Sequence, residues 1–131
     1  MNDNVNHPKH YKGYTVEIEC IDITRHMNFQ LGNAFKYIWR AGLKGDKAQE
    51  LEDYEKAHWY LEDYVRTEGP KPHYETISSL WELVKLRVPP AKEEILMFII
   101  LGRILEAEYS LDRIIRFLQK LPEIHYREKQ K

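Results

Sequence analysis

The sequence predicts an all-α fold, a small bundle of about five to six helices behind an N-terminal loop. Three observations carry that expectation. Apolar residues recur at intervals of three and four over most of the chain. The stretches patterned in this way are separated by glycine and proline clusters, at Gly42 to Gly45, Gly69 to Pro72 and Pro89-Pro90. Alternation of the strand kind occurs only over Tyr14 to Ile18, too short to anchor a sheet.

Taken in order, Asn6 to Gly13 combines Pro8, Gly13 and short polar residues and reads as a loop. A short helix is expected over about Val16 to His26. A second runs from near Gln30 to Arg40 and stops at Ala41-Gly42-Leu43-Lys44-Gly45, where two glycines suit a helix end and a turn. Asp46 is placed as the N-cap of a third, whose apolar residues Leu51, Tyr54, Ala57 or His58, Leu61 and Val65 carry it to about Arg66. Gly69, Pro70 and Pro72 end it. Ile77, Leu80, Trp81, Val84 and Val88 form the stripe of a fourth, which stops at Pro89-Pro90. Glu93 to Ala107 is apolar almost all round at its centre, over Ile95 to Leu101, and predicts either a central helix or an oligomer interface. Ser110 is expected to cap a last helix over Leu111 to Leu121, with Ile114, Ile115 and Leu118 on one face.

The 131 residues set the expectation of one compact domain, with 1–69 and 70–131 as its halves. Cys20 is the one cysteine, so no bridge forms within the chain, and the first residues carry no basic-then-apolar leader; a reducing, cytoplasmic location is expected. The apolar runs fall short of a membrane span. Twenty Lys and Arg balance 21 Asp and Glu, which leaves no general basic excess for binding nucleic acid. There is no GxxxxGK[ST], GxGxxG or GxSxG pattern, so a P-loop kinase, a dinucleotide enzyme and an α/β-hydrolase are disfavoured.

Chemistry concentrates on the second predicted helix. With Lys36 at zero on a wheel of about 100° per residue, Arg40 falls near ~40°, Asn33 near ~60° and Tyr37 near ~100°. Leu31, Ala34, Phe35, Ile38, Trp39 and Ala41 fill the opposite arc. Two cations one turn apart, beside an amide and a phenol, suit an oxyanion or phosphate grip, which Lys44 and the backbone amides of Gly42 and Gly45 extend. The same cations also suit ion pairs with carboxylates of neighbouring helices on a solvated face. Glu19 with Asp22, and Glu50 with Asp53, are three apart; brought together they make an oxygen cage for Mg²⁺, whereas separately they are ordinary helix carboxylates. His7 and His10 flank Pro8-Lys9 and suit a hydrogen-bond donor or proton shuttle beside a phosphate grip. His58 reads as a core histidine, and nothing around Cys20 suggests a thiolate.

Four stretches carry a resemblance: Val5-Asn-His-Pro-Lys-His-Tyr-Lys12, Ile18-Glu-Cys-Ile-Asp22, Leu31-Gly-Asn-Ala-Phe-Lys-Tyr-Ile-Trp-Arg-Ala-Gly-Leu-Lys-Gly45 and Lys56-Ala-His-Trp-Tyr-Leu61. In this order they resemble the SaV-like family of small phage proteins, a domain of unknown function, and with it the small nucleotide kinase of podophages of the T-seven group. The resemblance covers about the first half of the chain. It implies a nucleotide site that uses His7, Pro8, His10, Tyr11, Glu19, Asp22, Asn33, Lys36, Tyr37, Arg40, Lys44, Lys56, Trp59 and Tyr60, in the cytoplasm of an infected host.

The reading that follows is a nucleotide kinase without a P-loop. Lys36, Arg40 and Lys44 neutralise the phosphates of a nucleoside triphosphate donor, with Mg²⁺ as a companion. His10 orients or shuttles a proton, and Tyr37 or Trp59 stacks on a base. A second reading is a Mg²⁺-dependent pyrophosphatase similar to the all-α MazG class, with Glu19, Asp22, Glu50 and Asp53 on the metal. A third is a protein that sequesters a nucleotide or a host protein. The apolar helix around Ile95 to Leu101 adds the expectation of a homo-oligomer.

Overall fold

The computed structural model of the chain describes residues 18–123 and 125–126. It is all-helical, with no strand among the described residues. In chain order the helices are α1 (Cys20–Thr24), α2 (Phe29–Arg40), α3 (Lys47–Thr67), α4 (Tyr74–Val84), α5 (Pro90–Ile100) and α6 (Ile104–Lys120), with a 3-10 turn over Lys85–Arg87. The expected loop over Asn6 to Gly13 lies outside the described residues. No helix among the described residues is long and apolar enough to cross a membrane.

Local chemistry sets the ends that position the site. Glu19 and Asp22 form a reciprocal capping box, Asp22 Oδ2 accepting from the Glu19 amide at 2.8 Å, so α1 begins at Cys20 and is shorter than the expected Val16 to His26. Asn28 caps α2 by accepting from the Leu31 amide at 2.9 Å. Gly42 (φ +77°) and Gly45 (φ +93°) turn the chain between α2 and α3 in the left-handed region, which costs a residue with a Cβ dearly. Asp46 then caps α3, its Oδ1 accepting from the Gln49 amide at 2.9 Å, as the sequence predicts.

Helices α2, α3, α6 and α5 close a four-membered ring, each packed on the next and α5 back on α2, with α1 and α4 set against it. The core therefore runs through both halves of the chain, joining Leu31, Phe35 and Ile38 of α2 to Trp81 of α4, Leu96 and Ile99 of α5 and Leu111 of α6. Phe35 is its aromatic hinge, stacked on Trp39 at 6.0 Å and edge-on to Trp81 at 6.2 Å. Trp39, expected buried, is half-buried at the margin. On α3 the buried stripe ends at Tyr64, and Val65 faces solvent.

The second half departs from expectation at one joint. The predicted helices Glu93 to Ala107 and Leu111 to Leu121 are instead Pro90–Ile100 and Ile104–Lys120. Gly102 at φ +75° makes the break. Ser110 lies inside α6, its hydroxyl bonded to Glu94 at 3.1 Å. Ile104, Ala107, Leu111, Ile115 and Leu118 continue one buried stripe past it, and that packing keeps the helix whole. Ile95, Leu96, Ile99 and Ile100 are all buried within the single chain, so that side of α5 is core, while Met97 and Phe98 are half-buried and Leu101 is exposed.

Lys92 contributes a second element of order. Its ammonium, buried at the start of α5, donates to the Trp39 carbonyl at 3.1 Å and to the Ala41 carbonyl, satisfying the end of α2 where the helix dipole is negative. The turn that follows α2 is thereby held from beneath.

Candidate functional site

The wheel drawn from the sequence survives in three dimensions: Leu31, Ala34, Phe35 and Ile38 are buried, while Lys36 and Arg40 are exposed on the other side of α2. Asn33 donates to the Phe29 carbonyl at 2.8 Å and accepts from Lys36 Nζ at 3.2 Å, tying it to the donor face. Tyr37 is the centre of that face. Lys36 Nζ lies 4.5 Å, Arg40 Cζ 4.8 Å and, from α3, Lys56 Nζ 5.5 Å from its ring centroid. A ring face is negative, so one phenol holds three cations in a cluster that their mutual repulsion would otherwise spread.

Aromatic residues continue the surface. Tyr37 stacks on Tyr60 at 6.1 Å with an interplanar angle of 13°, and Tyr60 meets Trp59 and Phe29 edge-on at 5.2 and 5.9 Å. Trp59 is 59% exposed, unusual for so large a ring, and available to stack.

Beside the cluster lies a cleft of about 690 Å³ lined by Arg40, Leu43, Lys44, Gly45, Gln49 and Asp53, so Lys44 joins the predicted grip from the turn. At its floor Asp53 is buried and accepts on Oδ1 from Arg40 Nε at 3.2 Å, Arg40 Nη2 at 3.0 Å and Gln49 Nε2 at 3.3 Å. Asp53 also holds the Arg40 guanidinium charged, pushing its pKa further up. Arg40 is thus half ion pair and half free fork, while Lys36 has no carboxylate partner among the described residues. Lys56 pairs with Glu52 at 2.9 Å, which pushes its pKa up, so it too stays charged.

The four carboxylates proposed for Mg²⁺ do not form a cage. Glu19 and Asp22 are engaged in their capping box, and Asp22 also faces Arg25 at 3.5 Å. Asp53 is occupied by Arg40, and Glu50 is buried under the turn, where a Cβ on Gly42 would stand 2.9 Å from its Oε2. Glu50 instead faces two phenols. Burial first, and then the Glu50 carboxylate, push the Tyr54 and Tyr126 pKa values up. Hard-cation ligands must converge with free lone pairs, and these do not.

Burial pushes the Cys20 thiol up to about 12, in keeping with a thiol that plays no part as a nucleophile. His7, His10 and Tyr11 lie outside the described residues. Sequence reasoning missed Gln49 and Lys92, which support the site from beneath. Gln49 has only its place one turn before Asp53 as a signal, and Lys92 had none, because a lysine in a polar helix start looks solvated. His58, expected on or beside the apolar stripe of its helix, is half-buried at the edge of the core and bonds Glu62 at 2.9 Å through Nδ1.

Comparison with known proteins places a DUF3310 domain, described as a protein of unknown function, at residues 5–62, a span that contains α1, α2, the glycine turn and α3 as far as Glu62. Every residue of the cationic face falls inside it. No curated protein and no solved structure matches the chain.

Proposed function

We propose that the protein grips the phosphates of a nucleotide on the face formed by Lys36, Arg40, Lys44 and Lys56, and transfers a phosphoryl group from a nucleoside triphosphate to a (deoxy)nucleoside monophosphate. The convergence of three cations on the Tyr37 ring, with Lys44 in the adjoining cleft, supports the grip. Among the described residues Glu52 and Asp53 are the carboxylates paired with that group, so positive charge is in excess there and a multiply charged anion relieves it. Arg40 offers the fork that Asp53 leaves free, and Lys36 a mobile point charge. Trp59 and Tyr60 supply the stacking surface for a base.

The transfer step rests on the resemblance of the N-terminal motifs to a nucleotide kinase. Such chemistry needs positioning and neutralisation of charge more than covalent help, and a P-loop is one of several ways to supply both. In this reading His10, outside the described residues, moves the acceptor's proton. The pyrophosphatase reading loses its support with the carboxylate cage, since Glu19, Asp22, Glu50 and Asp53 are engaged elsewhere.

The test incubates purified full-length protein with nucleoside mono-, di- and triphosphates, with and without Mg²⁺, and reads products by mass. Diphosphate formed from monophosphate plus triphosphate is the expected result. Pyrophosphate released from triphosphate alone would replace the kinase by a hydrolase, and retention without conversion would reduce it to a binding protein. Absence of both binding and turnover would refute the grip itself.

A further inference from the structure

A second constellation lies away from the cationic face, across the contact between α3 and α6. His58 and Glu62 stand one helical turn apart on α3, and Glu108 approaches them from α6. One ligand atom from each, an imidazole nitrogen and two carboxylate oxygens, lies within 4.8 Å of the other two. It is the one such group of three or more among the described residues.

We propose that His58, Glu62 and Glu108 form a binding site for a divalent transition ion of the Zn²⁺ class, bridging α3 and α6. The donor set favours this class: one nitrogen and two hard oxygens suit Zn²⁺, whereas Mg²⁺ and Ca²⁺ ask for oxygen alone and Cu(I) for sulfur. Three protein ligands leave a tetrahedral ion one open position, filled by water. At metal–ligand distances of about 2.0–2.2 Å the donors of a tetrahedral site stand roughly 3.4 Å apart, against 2.9 Å between His58 Nδ1 and Glu62 Oε1 and at most 4.8 Å within the group of three, so the side chains must shift by up to about 1.4 Å. The Glu62 side chain, 61% exposed on its flexible stem, supplies part of that shift.

Charge argues the same way. Glu62 and Glu108 are like charges held together across a helix interface, and no lysine or arginine pairs with either among the described residues. A divalent ion cancels the two carboxylates and ties the DUF3310 segment's last helix to the C-terminal half.

The experiment titrates Zn²⁺ into chelator-stripped, tag-free full-length protein by calorimetry, with Co²⁺ absorption as a reporter of coordination and circular dichroism as a folding control. One ion per chain is expected, with a higher melting temperature in Zn²⁺ than in chelator. Glu108→Gln and His58→Gln should each weaken binding by at least about tenfold. Glu108→Gln gives a further sign: in chelator it removes one of two facing carboxylates and leaves the melting temperature equal or higher, and in Zn²⁺ it abolishes the gain. No saturable one-to-one binding would overturn the site. So would affinity unchanged in both variants, which would assign the ion to other histidines such as His7 and His10. Neither outcome bears on nucleotide binding, which uses other residues.

Discussion

Arg40 on α2 donates through both Nε and Nη2 to a single oxygen of Asp53 on α3, at 3.2 and 3.0 Å, and the Asp53 side chain is only 3% exposed while that of Arg40 is 48% exposed. One side chain therefore serves two masters, the buried carboxylate below and the cleft above. Removing Arg40 leaves that buried charge with Gln49 as its remaining side-chain donor among the described residues. Arg40→Ala is expected to destabilise the fold by about 1–3 kcal/mol, measured by urea unfolding, and Arg40→Ala with Asp53→Asn to recover part of the loss. Arg40→Ala is thus a poor probe of ligand binding alone.

Lys36 separates the two roles. It is exposed and its hydrogen-bond partner, Asn33, is neutral. Lys36→Ala should lower nucleotide affinity by about tenfold, the equivalent of ~1.4 kcal/mol, in equilibrium dialysis. The free energy of unfolding should change by less than about 0.5 kcal/mol. Unchanged affinity would remove Lys36 from the grip.

Two glycines ten residues apart, one within α2 and one in the turn that follows it, should respond with opposite sign. At Gly42 the backbone sits at φ +77° and a Cβ would meet the buried Glu50 carboxylate, so Gly42→Ala is expected to cost about 1–3 kcal/mol. Gly32 lies within α2, where a Cβ would meet the Thr24 carbonyl oxygen at 3.4 Å, ordinary contact; Gly32→Ala should be neutral or stabilising by up to about 1 kcal/mol. Chemical unfolding of both variants checks the contrast.

Stability should fall on the alkaline side through two phenols. Tyr54 and Tyr126 hold their protons in the folded chain well above the ordinary value of 10.0, because burial and then Glu50 disfavour phenolate. Below pH 10 both states keep the proton and the contribution is flat. Above it the unfolded chain releases protons that the native one retains, so unfolding becomes easier as pH rises, by up to about 1.4 kcal/mol per pH unit for each phenol. Melting curves between pH 8 and 11 test this. Replacing Tyr54 or Tyr126 by Phe should flatten the alkaline slope.

Sequence alone determined whatever depends on neighbours within a few turns. The Asp46 cap, the stop at Gly42 and the division of α2 into an apolar arc and a donor face all follow from local hydrogen bonding and a period of 3.6 residues. The break at Gly102 was legible in principle from its glycine, but Ser110 competed as a cap, and only the continuous stripe from Ile104 to Leu118 packed on α3 and α5 decided against it. Tertiary structure alone decided how the helices rotate against one another, and thereby which charges meet. That rotation gave Asp53 to Arg40, put Glu50 beneath Gly42, brought Lys56 of α3 to the Tyr37 ring of α2, and set Glu108 opposite His58. Each of these pairs joins residues on different elements, and a helical period carries no information about the azimuth at which one helix meets another; close packing of the side chains fixes it.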